Sequence, residues 1–258
     1  MINTYWQRSL AYRFTVLAYR VGEVMEVLVL ILMWSAIYGE QAVIRGFTLK
    51  EMLTYVLIGN LFNVVTRNWL EQIVAEHIKD GKLSMILVQP VSYFQYIIFR
   101  EIGRISLPTV LSVGSQIVVL LFFLDTLIIN TDIWYLLLIV AMLIFAFVIE
   151  LFISFLIGLI AFWTDEVDGI YATISRLKKF LSGGYFPLNL LPPFFLRTSL
   201  LFPFAYSIFV PAQLYLKKIS LESGMQGLLI QCVWIFLLYS IIRVVWYFGI
   251  RKYEGVGI

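Results

Sequence analysis

Three long stretches with almost no charge constrain this chain more than any other feature. Residues 105–124 and 223–242 carry no charged side chain, and residues 133–164 carry only Glu150. About 20 apolar residues are enough for an α-helix to cross the ~30 Å hydrocarbon core of a bilayer. With 61% hydrophobic and 14% charged residues, the chain has too few polar groups to keep such helices in water. We therefore predict an all-α integral membrane protein with one transmembrane domain over residues 1–258.

Six segments are predicted as transmembrane helices. They cover residues 21–39, 52–75, 97–124, 133–163, 167–186 and 224–248. Lys and Arg concentrate on the cytoplasmic side of membrane proteins. If the N-terminus is cytoplasmic, ten of the 19 Lys and Arg residues lie on the cytoplasmic side and five lie on the outer side. An even number of spans then places both termini in the cytoplasm.

A helix on the membrane surface is predicted before the first span. Residues 1–20 place Ile2, Trp6 and Leu10 at helical spacing, with polar residues largely opposite. Such an amphipathic pattern is typical of a helix that lies in the plane of the interface. We predict that this helix lies on the inner leaflet.

The chain after the fifth span is rich in residues that end helices. Those predicted to form the turn are Gly183, Gly184, Pro187 and Pro192. Irregular backbone is not tolerated against lipid and must be buried in protein or line a cavity. Residues 187–216 are therefore predicted to form a re-entrant hairpin of two short helices that dips from the outer face.

Several classes of site are excluded by composition and motif. One cysteine and one histidine leave no internal disulfide and no Cys-based or His-based metal cluster. No GxxxxGK[ST] phosphate loop occurs, so the chain is not predicted to hydrolyse a nucleotide itself. A net charge of +3 does not indicate nucleic acid. The acidic residues Asp165, Glu166 and Asp168 are interpreted as the cap of the fifth helix, not as a metal site.

The segment between the second and third spans, residues 76–95, is predicted to be cytoplasmic. A charged turn around Gly81 is followed by an apolar stripe of Leu83, Ile86 and Leu87 and then by Pro90. An amphipathic piece of this kind either lies on the membrane or docks into a partner protein. The spacing alone leaves both interpretations open.

Three motifs together resemble permeases of the type-2 ABC exporter family. The stretch GKLSMILVQP at 81–90 resembles the coupling region of that family, and SGGYFPLNLLP at 182–192 is similar to the end of its fifth helix. The stretch LFPFAYSIFVP at 201–211 resembles the re-entrant segment that follows. The order and spacing of the motifs are most similar to the bacterial branch in which unequal permeases pair and share a separate ATPase.

The resemblance implies a membrane subunit without a cofactor of its own. It implies a dimer with a second copy or a sister permease, and binding to cytoplasmic ABC ATPase subunits that hold ATP and Mg²⁺. It also implies a place in the bacterial inner membrane. The coupling role falls on residues 76–87, with Glu76, His77, Lys79, Asp80, Gly81, Lys82, Leu83 and Leu87 as the candidate contacts.

Charges inside the predicted spans are the clue to what is transported. The four that we single out as pathway candidates are Glu150, Arg176, Lys178 and Lys179. Charges in hydrocarbon are expensive and normally face a cavity, another charge or the interface. These cations either line the inner mouth of a pathway for an anionic or amphipathic substrate, or bind lipid phosphate and pair with Glu150. Arg176 and Lys179 share one helix face, and Lys178 points elsewhere.

The function that we predict is the membrane subunit of an ATP-driven exporter. The alternative is a secondary transporter driven by an ion gradient, which needs titratable groups inside the membrane. Glu150 is the only deep acid that the sequence indicates. A third class, an enzyme acting on lipids, lacks a cluster of catalytic groups.

Overall fold

The computed structural model describes residues 13–164 and 167–253. In this part of the chain the helices are α1 Arg13–Tyr38, α2 Leu49–Thr66, α3 Leu70–Lys79, α4 Lys82–Leu87, α5 Tyr93–Phe122, α6 Ile133–Leu159, α7 Val167–Leu181, α8 Pro193–Leu201, α9 Phe209–Tyr215 and α10 Leu221–Lys252. Short 3-10 turns occur at Leu124–Thr126, Ile160–Phe162, Leu188–Leu190 and Pro203–Tyr206. The strands Val43–Ile44 and Phe47–Thr48 pair as a small antiparallel hairpin. The predicted cap residues Asp165 and Glu166 lie outside the described residues.

The prediction of a helical membrane protein is confirmed. Four helical segments are long and apolar enough to cross a bilayer: Ala18–Tyr38, Tyr93–Phe122, Ile133–Phe162 and Leu221–Lys252. A fifth candidate is the pair Pro193–Leu201 and Pro203–Tyr215, which is bent by 86°. The described residues therefore contain four or five candidate membrane spans.

The predicted second span, 52–75, is not one continuous helix. It is interrupted at Arg67, whose backbone is extended at ψ 139°, and α3 begins at Leu70. The backbone N–H of Trp69 donates to the Glu101 carboxylate at 3.0 Å, and that of Leu70 donates to Asn68 Oδ1 at 3.2 Å. These acceptors satisfy N–H groups that a helix end leaves free. Because Glu101 is distant in the sequence, local pattern does not reveal the break.

Two other predicted boundaries differ in the structure. The fifth predicted span, 167–186, contains a helix that ends at Leu181, and Gly183 then adopts a left-handed conformation at φ +76°. The surface helix predicted for 1–20 lies mostly outside the described residues. Its remainder, from Arg13 onward, continues without a break into the first span, so no boundary occurs at residue 20.

The bundle has two distinct ends. At one of them, which we call the loop end, Lys218 forms an ion pair with Glu51 at 2.8 Å, and Lys217 forms one with Asp132 at 3.2 Å. We call the other end the corner end; it contains the turn at 80–92. There Ser84 and Tyr253 share a hydrogen bond of 3.1 Å between their hydroxyl groups, so the end of α10 lies beside the turn.

The segment predicted as a re-entrant hairpin begins and ends near the loop end. Gln213 donates a hydrogen bond to Asn189 Oδ1 at 3.4 Å, which joins its two arms. Its middle reaches further in, because the Gln231 amide donates both to the Tyr206 carbonyl at 3.0 Å and to the Met142 carbonyl at 3.1 Å. Met142 lies ~14 Å along α6 from Ile133. The segment thus reaches only part of the way along the bundle.

Two hydrophobic cores fill the bundle. The core at the loop end includes Tyr38, Tyr55 and Phe209. The core at the corner end includes Val74 on α3 and Phe155 on α6. Most of the charged side chains described below lie between these two cores.

Candidate functional site

A layer of charged side chains, which includes Glu23, Glu71 and Glu150, crosses the bundle between the two cores. Measured along their helices at 1.5 Å per residue, Glu23 lies ~22 Å from Tyr38 and Glu150 lies ~26 Å from Ile133. Both helix ends belong to the loop end. The layer therefore lies nearer to the corner end of these two helices than to their loop end.

One part of the layer is an ion cluster around Glu23. Arg20 contacts its carboxylate at 2.9 Å and Arg67 contacts it at 2.8 Å. Arg67 also lies over the Trp69 ring, 5.6 Å from the ring centre. Glu23 therefore ties α1 to the break between α2 and α3.

The prediction that Glu150 is the only deep acid is wrong. Glu71 and Glu101 have no exposed surface, and Glu23 is also buried. Glu101 accepts from Arg104 at 2.6 Å and caps the break. Glu71 has no hydrogen-bond partner on either carboxylate oxygen among the described residues. The only sequence signal for such pairs is the i, i+3 spacing of Arg20 with Glu23 and of Glu101 with Arg104.

The four predicted pathway residues lie on α6 and α7, where two lysines are paired. Lys178 forms an ion pair with Glu150, and Lys179 forms one with Glu26 on α1. Lys179 also lies 4.7 Å from the centre of the Tyr185 ring. Of the three cations predicted to line the pathway or to pair with Glu150, it is Lys178 that pairs with it, from a different face of α7 than the one that Arg176 and Lys179 share. The helical repeat determines which side chains share a face of α7, but only packing decides which face meets α6.

Arg176 differs from the two lysines. Its side chain is exposed, and the described residues show no ion pair for it. It nevertheless lines the same cleft as Glu150, Lys178 and Lys179. The structure thus brings all four predicted residues together.

This cleft has a volume of about 220 Å³. Its walls come from α1, the end of α2, α6 and α7, and its roof toward the loop end comes from Ser207 and Ile208 at the tip of the hairpin. Polar residues that sequence reasoning missed also line it: Glu26, Asn63, Thr66, Arg67, Asn68, Tyr171, Ser175 and Ser182. We call this feature the polar cleft. It presents hydroxyl, amide, carboxylate and cationic groups.

The glycines and prolines of the predicted turn connect α7 to α8. Tyr55 donates to the Gly183 carbonyl at 2.8 Å, and a Cβ at Gly183 would lie 2.6 Å from that tyrosine oxygen. A Cβ at Gly184 would lie 3.1 Å from Lys179 Cγ. Pro187 precedes the turn Leu188–Leu190, and Pro192 precedes α8.

The predicted coupling residues lie away from the polar cleft, at the corner end. They do not form a single helix: α3 ends at Lys79, Gly81 is left-handed at φ +71°, and α4 follows. Lys82 pairs with Asp80 at 2.7 Å, and Glu76 and Lys79 are exposed.

The apolar stripe predicted on this segment is divided. Leu83 and Ile86 are buried in the corner-end core. The exposed apolar face is instead made by Met85, Leu87 and Val88, and Val88 is 84% exposed. Most of the stripe therefore holds the corner onto the bundle.

His77 is part of the bundle and not of the exposed surface. Arg100 Nη1 donates to His77 Nε2 at 2.5 Å, and Tyr93 Oη lies 3.1 Å from Nδ1. Because Nε2 accepts, the neutral ring carries its proton on Nδ1. Burial, followed by the charge of Arg100, lowers the pKa of His77 to about 4. His77 is thus neutral at physiological pH and serves to join α3 to α5.

The long apolar helices define a multi-pass membrane protein, and the polar cleft lies between its helices. A family model described as ABC-2 family transporter protein matches residues 24–257. The chain therefore belongs to the ABC-2 transporter family and is a permease-type component of an ABC transporter, not its ATPase. Comparison with curated proteins finds no match.

Proposed function

We propose that this chain is the membrane-spanning permease of an ATP-driven exporter in the bacterial inner membrane. It forms the substrate pathway as a dimer, with a second copy or with a sister permease. A separate ABC ATPase binds ATP and Mg²⁺ and docks at the corner end. Glu150, Arg176, Lys178 and Lys179 belong to the inner mouth of the pathway.

The proposed topology has six crossings and both termini in the cytoplasm. One crossing consists of α2 and the part of α3 up to residue 75, and another consists of α7 with residues 182–186. The hairpin over 187–216 is re-entrant from the outer face. Its support is that both arms meet at the loop end and that its tip reaches only the level of Met142.

The observation that carries the proposal is the packing of α3. This helix runs from the corner turn to Glu71 in the charged layer, and it lies directly against α6. A Cβ at Gly158 of α6 would lie 2.6 Å from Val74 Cβ and 2.9 Å from the Glu71 carbonyl oxygen. Because close-packed interiors are little compressible and transmit strain, a displacement of the corner would be transmitted to α6, which carries Glu150.

The exposed apolar face of the corner is the proposed contact with the ATPase. Met85, Leu87 and Val88 follow the charged pair Asp80 and Lys82. An apolar centre with a charged rim is the usual composition of a protein interface. The ATPase would therefore bury this face and pair with the charges beside it.

The test is ATPase coupling in the reconstituted complex. Val88→Glu, or charge reversal at both Lys79 and Lys82, is expected to reduce co-purification of the ATPase and substrate-stimulated ATP hydrolysis, with normal membrane insertion. Val43→Glu is the matched control, because Val43 is also exposed but lies at the loop end. Unchanged coupling in Val88→Glu together with the double reversal contradicts the proposed docking surface.

A further inference from the structure

The polar cleft carries more positive charge than its own acids balance. Four cations line it, Arg67, Arg176, Lys178 and Lys179, against two acids, Glu26 and Glu150. Each acid is already paired with one lysine. The two arginines therefore supply the charge that remains.

Neither arginine is neutralised within the cleft. Arg67 pairs with Glu23, but the same carboxylate also binds Arg20, so that cluster keeps one positive charge. Arg176 is exposed and shows no ion pair among the described residues. A guanidinium group donates hydrogen bonds from coplanar N–H groups, whose spacing matches two oxygens of a phosphate or carboxylate.

A buried hydroxyl on the roof of the cleft is also unsatisfied. Ser207 is 3% exposed, and its Oγ has no hydrogen-bond partner among the described residues. An unpaired polar group in the interior is costly. A ligand in the cleft would give this hydroxyl its partner.

The other residues that line the cleft indicate which chemical groups the ligand carries. Tyr171, Ser175 and Asn63 present hydroxyl and amide groups, which suit hydroxyls on a ligand. A volume of about 220 Å³ accommodates a headgroup and excludes a whole lipid. Ser207 and Ile208 close the side toward the loop end, so an attached hydrocarbon tail would leave the cleft sideways or toward the corner end.

We infer that the polar cleft binds a phosphate group with neighbouring hydroxyls, as in a glycerol phosphate headgroup, through Arg67, Arg176 and Ser207. The paired lysines hold the walls, and the two arginines carry the recognition. The inference that the bound group is the cargo rests on the proposed function. Binding itself does not, since it needs neither nucleotide nor ATPase.

Binding is measured on the full chain in phosphatidylcholine nanodiscs. One arm adds phosphatidylglycerol and counts retained lipid by native mass spectrometry. The other arm adds soluble glycerol 3-phosphate and follows thermal stabilisation. The variants are Arg176→Gln and Ser207→Ala, and Arg197→Gln is the matched control, because Arg197 is exposed on α8 and does not line the cleft.

We expect Arg176→Gln to weaken binding about tenfold, near the lower limit for losing a hydrogen bond to a charged group. Ser207→Ala should weaken binding about threefold, as for the loss of an ordinary hydrogen bond. Arg197→Gln should bind like the unmodified chain. If the two variants weaken the binding of phosphatidylglycerol, the site belongs to a lipid headgroup. If they weaken only the binding of glycerol 3-phosphate, the site belongs to a free solute. Removal of an unpaired buried hydroxyl in Ser207→Ala should not lower stability. Weaker binding by this variant would therefore reflect the loss of a ligand contact and not a loss of folding.

The inference is overturned if neither ligand binds, or if both variants bind each ligand as the unmodified chain does. These results would not contradict the proposed coupling to the ATPase. Conversely, a loss of coupling in Val88→Glu says nothing about headgroup binding, so the two proposals fail separately.

Discussion

At the scale of single residues, the pair of Lys178 and Glu150 shows how a buried charge is compensated between α6 and α7. The two side chains are mostly buried, 22% and 7% exposed. Lys178→Met leaves the Glu150 carboxylate without a partner, which should cost about 3–5 kcal/mol of unfolding free energy. The double variant with Glu150→Gln removes both charges and should recover most of that loss. Thermal unfolding of the purified chain measures both.

Arg176→Gln is the control for this prediction, because an exposed arginine without an ion pair should change stability little. Neutralising Arg176 together with Lys179 should not be rescued by Glu150→Gln, since the carboxylate keeps Lys178. A rescue of that variant, or no loss in Lys178→Met, contradicts the pairing.

At the scale of elements, the end of α7 depends on one glycine. Gly183 has φ +76° and packs against the Tyr55 hydroxyl, where a Cβ would be only 2.6 Å away. The left-handed conformation alone costs an alanine about 1–2 kcal/mol, and the contact adds to that. Gly183→Ala should therefore lower the melting temperature and displace the hairpin from the polar cleft.

Gly169→Ala, inside α7, is the matched control, because a Cβ there meets no atom of the described residues within 4 Å. Alanine favours the helix by up to ~1 kcal/mol relative to glycine. Equal stability changes in the two variants would show that neither the left-handed turn nor Tyr55 restrains position 183.

At the scale of the whole molecule, the proposed hairpin fixes which surfaces face outward. Asn189 and Lys217 are both exposed near the loop end. In a chain with Cys232→Ser, Asn189→Cys and Lys217→Cys should both react with an impermeant thiol reagent added outside intact cells. Asp80→Cys, at the corner end, should react only in inverted vesicles. If only one of the two loop-end cysteines is labelled from outside, residues 187–216 contain a seventh span.

Much of the fold was predictable because it depends on local sequence. The uncharged runs determine three of the long helices, since a bilayer requires about 20 apolar residues per crossing. Gly81, Gly183 and the prolines near 187–193 mark turns because their backbone preferences are intrinsic. The motifs at 81–90, 182–192 and 201–211 were sufficient to indicate the family that the match over 24–257 confirms.

Tertiary structure alone decided what depends on groups that are distant in the chain. The break at Arg67 is capped by Glu101, 32 residues away from the N–H that it accepts from. Lys178, and not Arg176 or Lys179, meets Glu150 because α7 turns that face toward α6. The polar cleft exists only where α1, α2, α6, α7 and the hairpin tip converge. A buried charge requires a partner, but the sequence does not determine which helix provides it, since that follows from packing.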